Sequence, residues 1–202
     1  MPNTTDNFDI PFLDGTELVR DYPQFSEDLA DAVDAGLVAA GKLVAVKSAI
    51  FTGVQSQSLS NGGNTAITNL SITHSLSDSS NRLIISFFGL LGPQQERDSI
   101  GAAVFNGSNF LAIGDADADQ TRVTNGGGRI STSTNDHPGA VPVSFSFVHS
   151  PQTTSAVTYV AHVFNVAGGN RTVFVNRSTT EIPGSSSAPR GVSSLVIQEV
   201  KV

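Results

Sequence analysis

Leu43-Val44-Ala45-Val46-Lys47-Ser48-Ala49-Ile50-Phe51-Thr52-Gly53-Val54 is the stretch on which the fold turns. Val44, Val46, Ser48, Ile50, Thr52 and Val54 fall on alternate positions, the pattern of a strand with one buried face. The residues just before it recur at helical steps instead. The change of period at residue 43 divides the chain into two parts, 1–42 and 43–202.

Downstream of that point the strand pattern continues. Leu70, Ile72, His74 and Leu76 alternate, as do Val141, Val143, Phe145 and Phe147. Arg82 to Leu91 and Ala156 to Val166 are apolar on both parities, as expected of strands covered on both faces. Thr172 to Val175 and Val192 to Val202 complete the set. Asn61-Gly62-Gly63, Asn106-Gly107, Asn125-Gly126-Gly127-Gly128 and Gly168-Gly169-Asn170 supply residues tolerant of positive φ and are expected to reverse the chain. Gly184-Ser185-Ser186-Ser187-Ala188-Pro189 is expected to be a loop before the last strand. With about eight to ten strands and no helical pattern after residue 43, residues 43–202 read as an antiparallel β-sandwich head, jelly-roll-like, and βαβ architecture is excluded.

Upstream, Asp21 and Pro23 open a helix, acids fill its first turns and Gly41 stops it. Phe25, Leu29, Ala32, Val33, Leu37 and Ala40 form a narrow apolar stripe that needs a partner, and a short parallel bundle of identical chains would supply one. Residues 1–22 have no sustained period and read as an extended arm that docks through Phe8, Ile10, Phe12, Leu13, Leu18 and Val19. Residues 1–42 carry nine acids against Arg20 and Lys42, which accounts for the whole net charge of -7. Two parts with different tasks follow from this split.

Composition removes several function classes. Neither part has the Lys/Arg excess that phosphate neutralisation requires, so nucleic acid is not an expected partner. The chain has no cysteine, which excludes disulfides and thiolate chemistry. There is no run of about 18 apolar residues, and the opening Met1-Pro2-Asn3-Thr4-Thr5-Asp6 lacks the basic start and apolar core of a signal peptide. Synthesis in the cytoplasm without membrane insertion is the expectation.

Few residues suggest chemistry. Asp115, Asp117 and Asp119 alternate and could converge on calcium, but Gln120 and Gly126 stand where the helix-loop-helix calcium pattern needs glycine and glutamate, and acidic tips are commonly just solvated. His74, His137, His149 and His162 lie on separate elements without metal-ligand spacing. In a trimer, His162 could join its counterparts on the axis, although a histidine packed at a sheet face is the plainer reading. Asp136-His137 is the nearest approach to an acid-base pair, and no Gly-x-Ser-x-Gly turn exists. Asn69, Asn106, Asn170 and Asn176 satisfy the glycosylation pattern but read as turn and strand residues. With two tyrosines and no tryptophan, a tight single glycan site is not expected, and weak sites would have to act by multiplicity. No catalytic residue and no cofactor are expected.

Two stretches resemble a known family. Ile10-Pro11-Phe12-Leu13-Asp14-Gly15-Thr16-Glu17-Leu18-Val19-Arg20-Asp21-Tyr22-Pro23, continuing through Phe25 to Ala30, looks like the opening of short tail-fibre or virion-fibre proteins of tailed bacteriophages. His149 to Tyr159, Val175-Asn176-Arg177-Ser178 and Arg190 to Val200 look like the head domain at the ends of phage tail fibres. The resemblance implies a homotrimeric structural protein of the virion, joined to other tail or capsid proteins by its arm, with a β head that attaches to the host surface, possible targets including a cell-surface glycan. A capsid decoration or cement protein, or a head fibre, would share the same arm and fold.

Overall fold

The computed structural model describes residues 43–95, 98–128, 139–178 and 190–202, together with the short strands β1 (Asn3–Thr4) and β2 (Pro11–Phe12). The chain divides into two compact units, Met1–Leu43 with Lys201–Val202, and Val44–Val200. In the first, β1 and β2 pair antiparallel with Asn3 opposite Phe12. The other arm positions, Phe8, Ile10, Leu13, Leu18 and Val19, lie outside the described residues. So do the helix stripe Phe25, Leu29, Ala32, Val33, Leu37 and Ala40, the pair Asp136-His137, and the segment from Gly184 to Pro189.

The second unit is mainly β, with two antiparallel sheets and no helix among the described residues. Its strands are β3 (Leu43–Phe51), β4 (Gln55–Leu59), β5 (Asn64–His74), β6 (Arg82–Gly92), β7 (Ser99–Phe105), β8 (Phe110–Leu111), β9 (Asn125–Gly128), β10 (Val141–His149), β11 (Val157–Asn165), β12 (Arg171–Val175) and β13 (Ser193–Val200). In the larger sheet β6 is central. β10 runs along one side of it, and on the other side β13 pairs with Arg82–Phe88 while β12 takes Leu91 and Gly92. β3 lies beyond β13, and β4 lies beyond β12. The smaller sheet is ordered β5-β11-β7, with β8 and β9 in series along the far side of β7.

The sheets share one apolar core. Leu83, Ile85, Phe87, Leu91, Val143, Leu195 and Ile197 from the larger sheet meet Ile67, Leu70, Ile72, Ile100, Val104, Tyr159 and Val163 from the smaller. Burial of side chains of this size contributes roughly 1.5–3 kcal/mol each. Leu70, Ile72, His74 and Leu76 point inward as their alternation predicts.

Three expectations are corrected. In β3 the parity is reversed: Val44, Val46 and Ile50 are exposed, while Ala49 and Phe51 pack on the core. Lys47 shares that inward parity, and its Nζ reaches the Thr73 carbonyl of the smaller sheet at 2.9 Å. In β6, coverage on both faces does not hold within the described chain, because Phe88 stays exposed on the outer face. Asn125–Gly128 is a strand paired with β7 rather than a reversal. Its glycines permit close approach: a Cβ on Gly126 would stand 2.9 Å from the Ile100 carbonyl oxygen, and one on Gly127 would stand 3.0 Å from Val141. The other reversals are as read, with Gly62 at φ 70° and Gly107 at φ 90°.

Buried polar groups lock the ends of the sheets. Glu199 on β13 accepts the Ser77 amide (2.8 Å), the Ser77 hydroxyl (2.7 Å) and Asn81 Nδ2 (2.6 Å) at Oε1, and its Oε2 lies 2.8 Å from His74 Nε2. Burial alone would raise this carboxyl's pKa. The hydrogen bonds from Ser77, Asn81 and His74 outweigh burial and hold it at about 2. Asn176, at φ 62°, donates to the carbonyls of Phe51 and Gly53, accepts from Ser193 Oγ, and exchanges backbone bonds with Leu90 and Gly191. Asn165 donates to the carbonyls of Leu59, Ser60 and Gly169 and accepts from the Ala167 amide. By contrast, the Tyr159 hydroxyl is buried without a partner, and burial pushes its pKa up to about 12.

Two outcomes follow from this arrangement. Glu199 titrates lower when folded than the 4.5 of its unfolded form, so its contribution is complete above that value and is lost as pH falls towards about 2. Thermal melts are expected to show that acid limb, with Glu199→Gln lowering stability at neutral pH by about 2–4 kcal/mol and flattening the limb. Tyr159→Phe removes an unpaired buried hydroxyl at almost unchanged shape and is expected to raise stability by about 1 kcal/mol in denaturant titration, with a loss of more than that contradicting the unpaired assignment.

Candidate functional site

The two outer faces differ in how they are covered. On the smaller sheet, β8 brings Phe110 beside β7, and the chain from Ala112 to Thr124 then folds back over the sheet. Val123 sits on Gly101, where a Cβ would stand only 2.6 Å from the valine methyl, and the Thr124 amide donates to the Ala102 carbonyl. Beneath this cover His162 points out of β11. Its Nδ1 lies 2.8 Å from Asn64 Oδ1, and its ring centroid stands 5.3 Å from Phe110 and 5.8 Å from Phe105. Phe110 also packs edge-on against Phe164 at 5.0 Å.

Burial lowers the pKa of His162 below its ordinary 6.5, so the ring is neutral at physiological pH. Because Asn64 offers a carbonyl oxygen, Nδ1 carries the proton and Nε2 the lone pair. That arrangement suits a packed aromatic group or a single hydrogen-bond acceptor at the sheet surface.

The remaining candidate residues are not drawn together. Asp115, Asp117 and Asp119 are all exposed on the loop. The Asp117 carbonyl accepts the Gln120 amide, and the loop's base is tied by Arg122 Nε to the Gly114 carbonyl at 2.6 Å. Among the described residues no three His, Asp or Glu side chains are grouped as a metal site would require. His74 belongs to the buried Glu199 cluster, and His149 stands edge-on to Tyr159 at 5.8 Å with its pKa lowered by burial.

Asparagines with glycosylation spacing hold local structure. Asn106 Oδ1 accepts the amides of Ser108 and Asn109, Asn69 adopts φ 57° within β5, and Asn176 is the buried hub described above. The buried roles of Asn165, Asn176 and Glu199 left no mark in periodicity. A polar residue at an inward strand position is the signal that could have singled out Glu199.

The outer face of the larger sheet is less covered by the described residues: Ile84, Ser86, Leu90, Ser194 and Val196 are half-buried, and Phe88 is exposed. Over its four adjacent strands β10, β6, β13 and β3, the outward residues are apolar or neutral, Gln198 being the largest polar one, and Arg82 at the start of β6 carries the only charge. Val46 is 53% exposed, Ile50 61%, Phe88 48% and Val148 61%. Phe88 stands between Ser144 and Ser194 in its row, and the next row holds Ser146, Ser86 and Val196, with Ser86 and Ser146 hydroxyls 2.9 Å apart. The face is therefore a strip poor in charge with protruding apolar side chains.

No family model and no curated protein matches this chain.

An NMR titration of His162 is expected to give a midpoint below 6.5, and Phe110→Ala, which opens the ring to water, should move it back towards that value. A midpoint unaffected by Phe110→Ala would show that the aromatic cover is not the cause.

Proposed function

We propose that this chain is a non-enzymatic structural protein of a tailed-phage virion: a homotrimeric fibre, exposed on the released particle, that attaches to a host surface such as a cell-surface glycan. Residues 1–42, comprising an arm and one short α-helix, join it to other tail or capsid proteins. Residues 43–202 form the head, a jelly-roll-like sandwich. The sequence stretches around Ile10–Pro23 and Arg190–Val200 support the phage assignment.

The observation that carries a structural rather than a catalytic role is how the buried polar groups are used. Glu199, Asn165 and Asn176 direct their hydrogen bonds to the protein's own backbone and neighbouring side chains, which fixes loops and strand ends. Among the described residues the least covered apolar surface is the outer face of the larger sheet, which suits assembly and weak, repeated contacts. The acidic residues of segment 1–42 suit docking to a basic partner, with charge guiding encounter and apolar side chains supplying affinity.

Gold-labelled antibody is expected to decorate the tails of intact virions, and removal of residues 1–22 is expected to abolish the label while leaving the far-ultraviolet spectrum of the head intact. Label on the capsid would replace the tail-fibre reading with a decoration protein. Normal incorporation of the shortened chain would refute the anchoring role of the arm.

A further inference from the structure

We infer that the outer face of the larger sheet, across β10, β6, β13 and β3, is the surface through which copies of this chain associate. The inference deepens the self-assembling part of the reading above and rests on it only in requiring copies.

Three observations lead to it. β3 turns Val44, Val46 and Ile50 into water, while Ala45, Ala49 and Phe51 face inward with Lys47 among them. β6 is apolar on both parities, yet Phe88 on its outer parity is exposed among the described residues, with Ile84, Ser86 and Leu90 only half-buried. The corresponding two-sided strand of the other sheet, β11, has its outer His162 and Phe164 covered by Phe110. Two neighbouring sequence patterns thus call for a covering layer that the described residues supply on one sheet and only in part on the other.

Charge and area identify the occupant. An interface core is depleted of charge, and a face bearing Arg82 alone offers no complement to an acidic or a basic partner. Its match is a surface equally poor in charge, and the same sheet on the neighbouring copies around a trimer axis supplies one. The acid-rich residues 1–42 do not offer that balance. Four strands at ~4.8 Å spacing and about eight residues at ~3.3 Å rise make a plane of roughly 500 Å², which side-chain relief raises towards the ~800 Å² per partner of a standard interface. The relief suits contact with a like surface: Phe88 projects between serines, and the short side chains of the Ser86–Ser146 row leave room for a projecting side chain from a neighbouring copy.

The test is the mass of the full chain in solution, by sedimentation equilibrium, for the parent and for Phe88→Asp combined with Val148→Asp. Both residues point to solvent in the single chain, so the variant should keep the parent's far-ultraviolet spectrum and cooperative melt. At about 10 µM the parent is expected at a multiple of 21.0 kDa and the variant at the single-chain mass, with Ser71→Asp on the other sheet behaving as the parent. Should the double variant fail to fold, Phe88→Ser is expected to weaken association at least about tenfold. An oligomer whose mass survives these substitutions would overturn the surface while leaving self-assembly standing. A parent at the single-chain mass would overturn the inference, and protection of Phe88 and Val46 from hydroxyl-radical labelling in that monomer would assign the cover to another part of the same chain.

Discussion

A carboxylate withdrawn from water must receive hydrogen bonds from the protein, and Glu199 receives four. Its donors come from the end of β5 and the connection that leads into β6, whereas Glu199 itself sits on β13 of the opposite sheet. The bond set therefore joins the sheets through the last strand of the chain. The pairing of β13 with β6 fixes Glu199 opposite Leu83, and a one-residue slip would turn the carboxylate out of the core and expose Leu195 and Ile197. Because β3 lies against β13, the position of the first strand of the unit depends on the same register.

The asparagines extend this logic to the loops. A buried loop carbonyl has no strand partner, and an amide side chain supplies two donors on a short, stiff stem. Asn165 uses them on the β4–β5 turn and the β11–β12 turn together, while Asn176 ties the end of β3 to the start of β13. Asn176 also adopts φ 62°, which asparagine tolerates better than most residues, so one side chain both turns the chain and satisfies the groups that the turn exposes.

Alternation and turn chemistry made much of the fold legible. β6, β10, β11, β12 and β13 lie close to their expected bounds, and all strand pairs are antiparallel. What escaped has physical causes. Ser99–Phe105 is rich in small residues because Val123 and β9 press against it, so its pattern carries little amphipathic contrast. Asn125–Gly128 reads as a turn by composition, yet its glycines serve close backbone approach. β3 misled because periodicity reports which parity is apolar and not which layer covers it. For the candidate site, the sequence singled out His162 and the three aspartates but not the aromatic rings from β7 and β8 that gather around His162 only after pairing.

The inverted parity of β3 also changes how a two-sided strand should be understood. An apolar outer residue is unfavourable in an isolated sheet, since it holds surface in water without relief. Where the chain provides its own cover, as at Phe110 over His162, that surface becomes a second small core and stiffens the sheet. Where the described residues leave such a side chain exposed, as at Phe88 and Val46, the surface would release free energy only on contact with a further layer. The neutral, serine-lined strip around Phe88 would spare such a contact the desolvation cost that buried charges impose. The Glu199, Asn165 and Asn176 bonds meanwhile fix the strand ends and loops that bound the exposed strip.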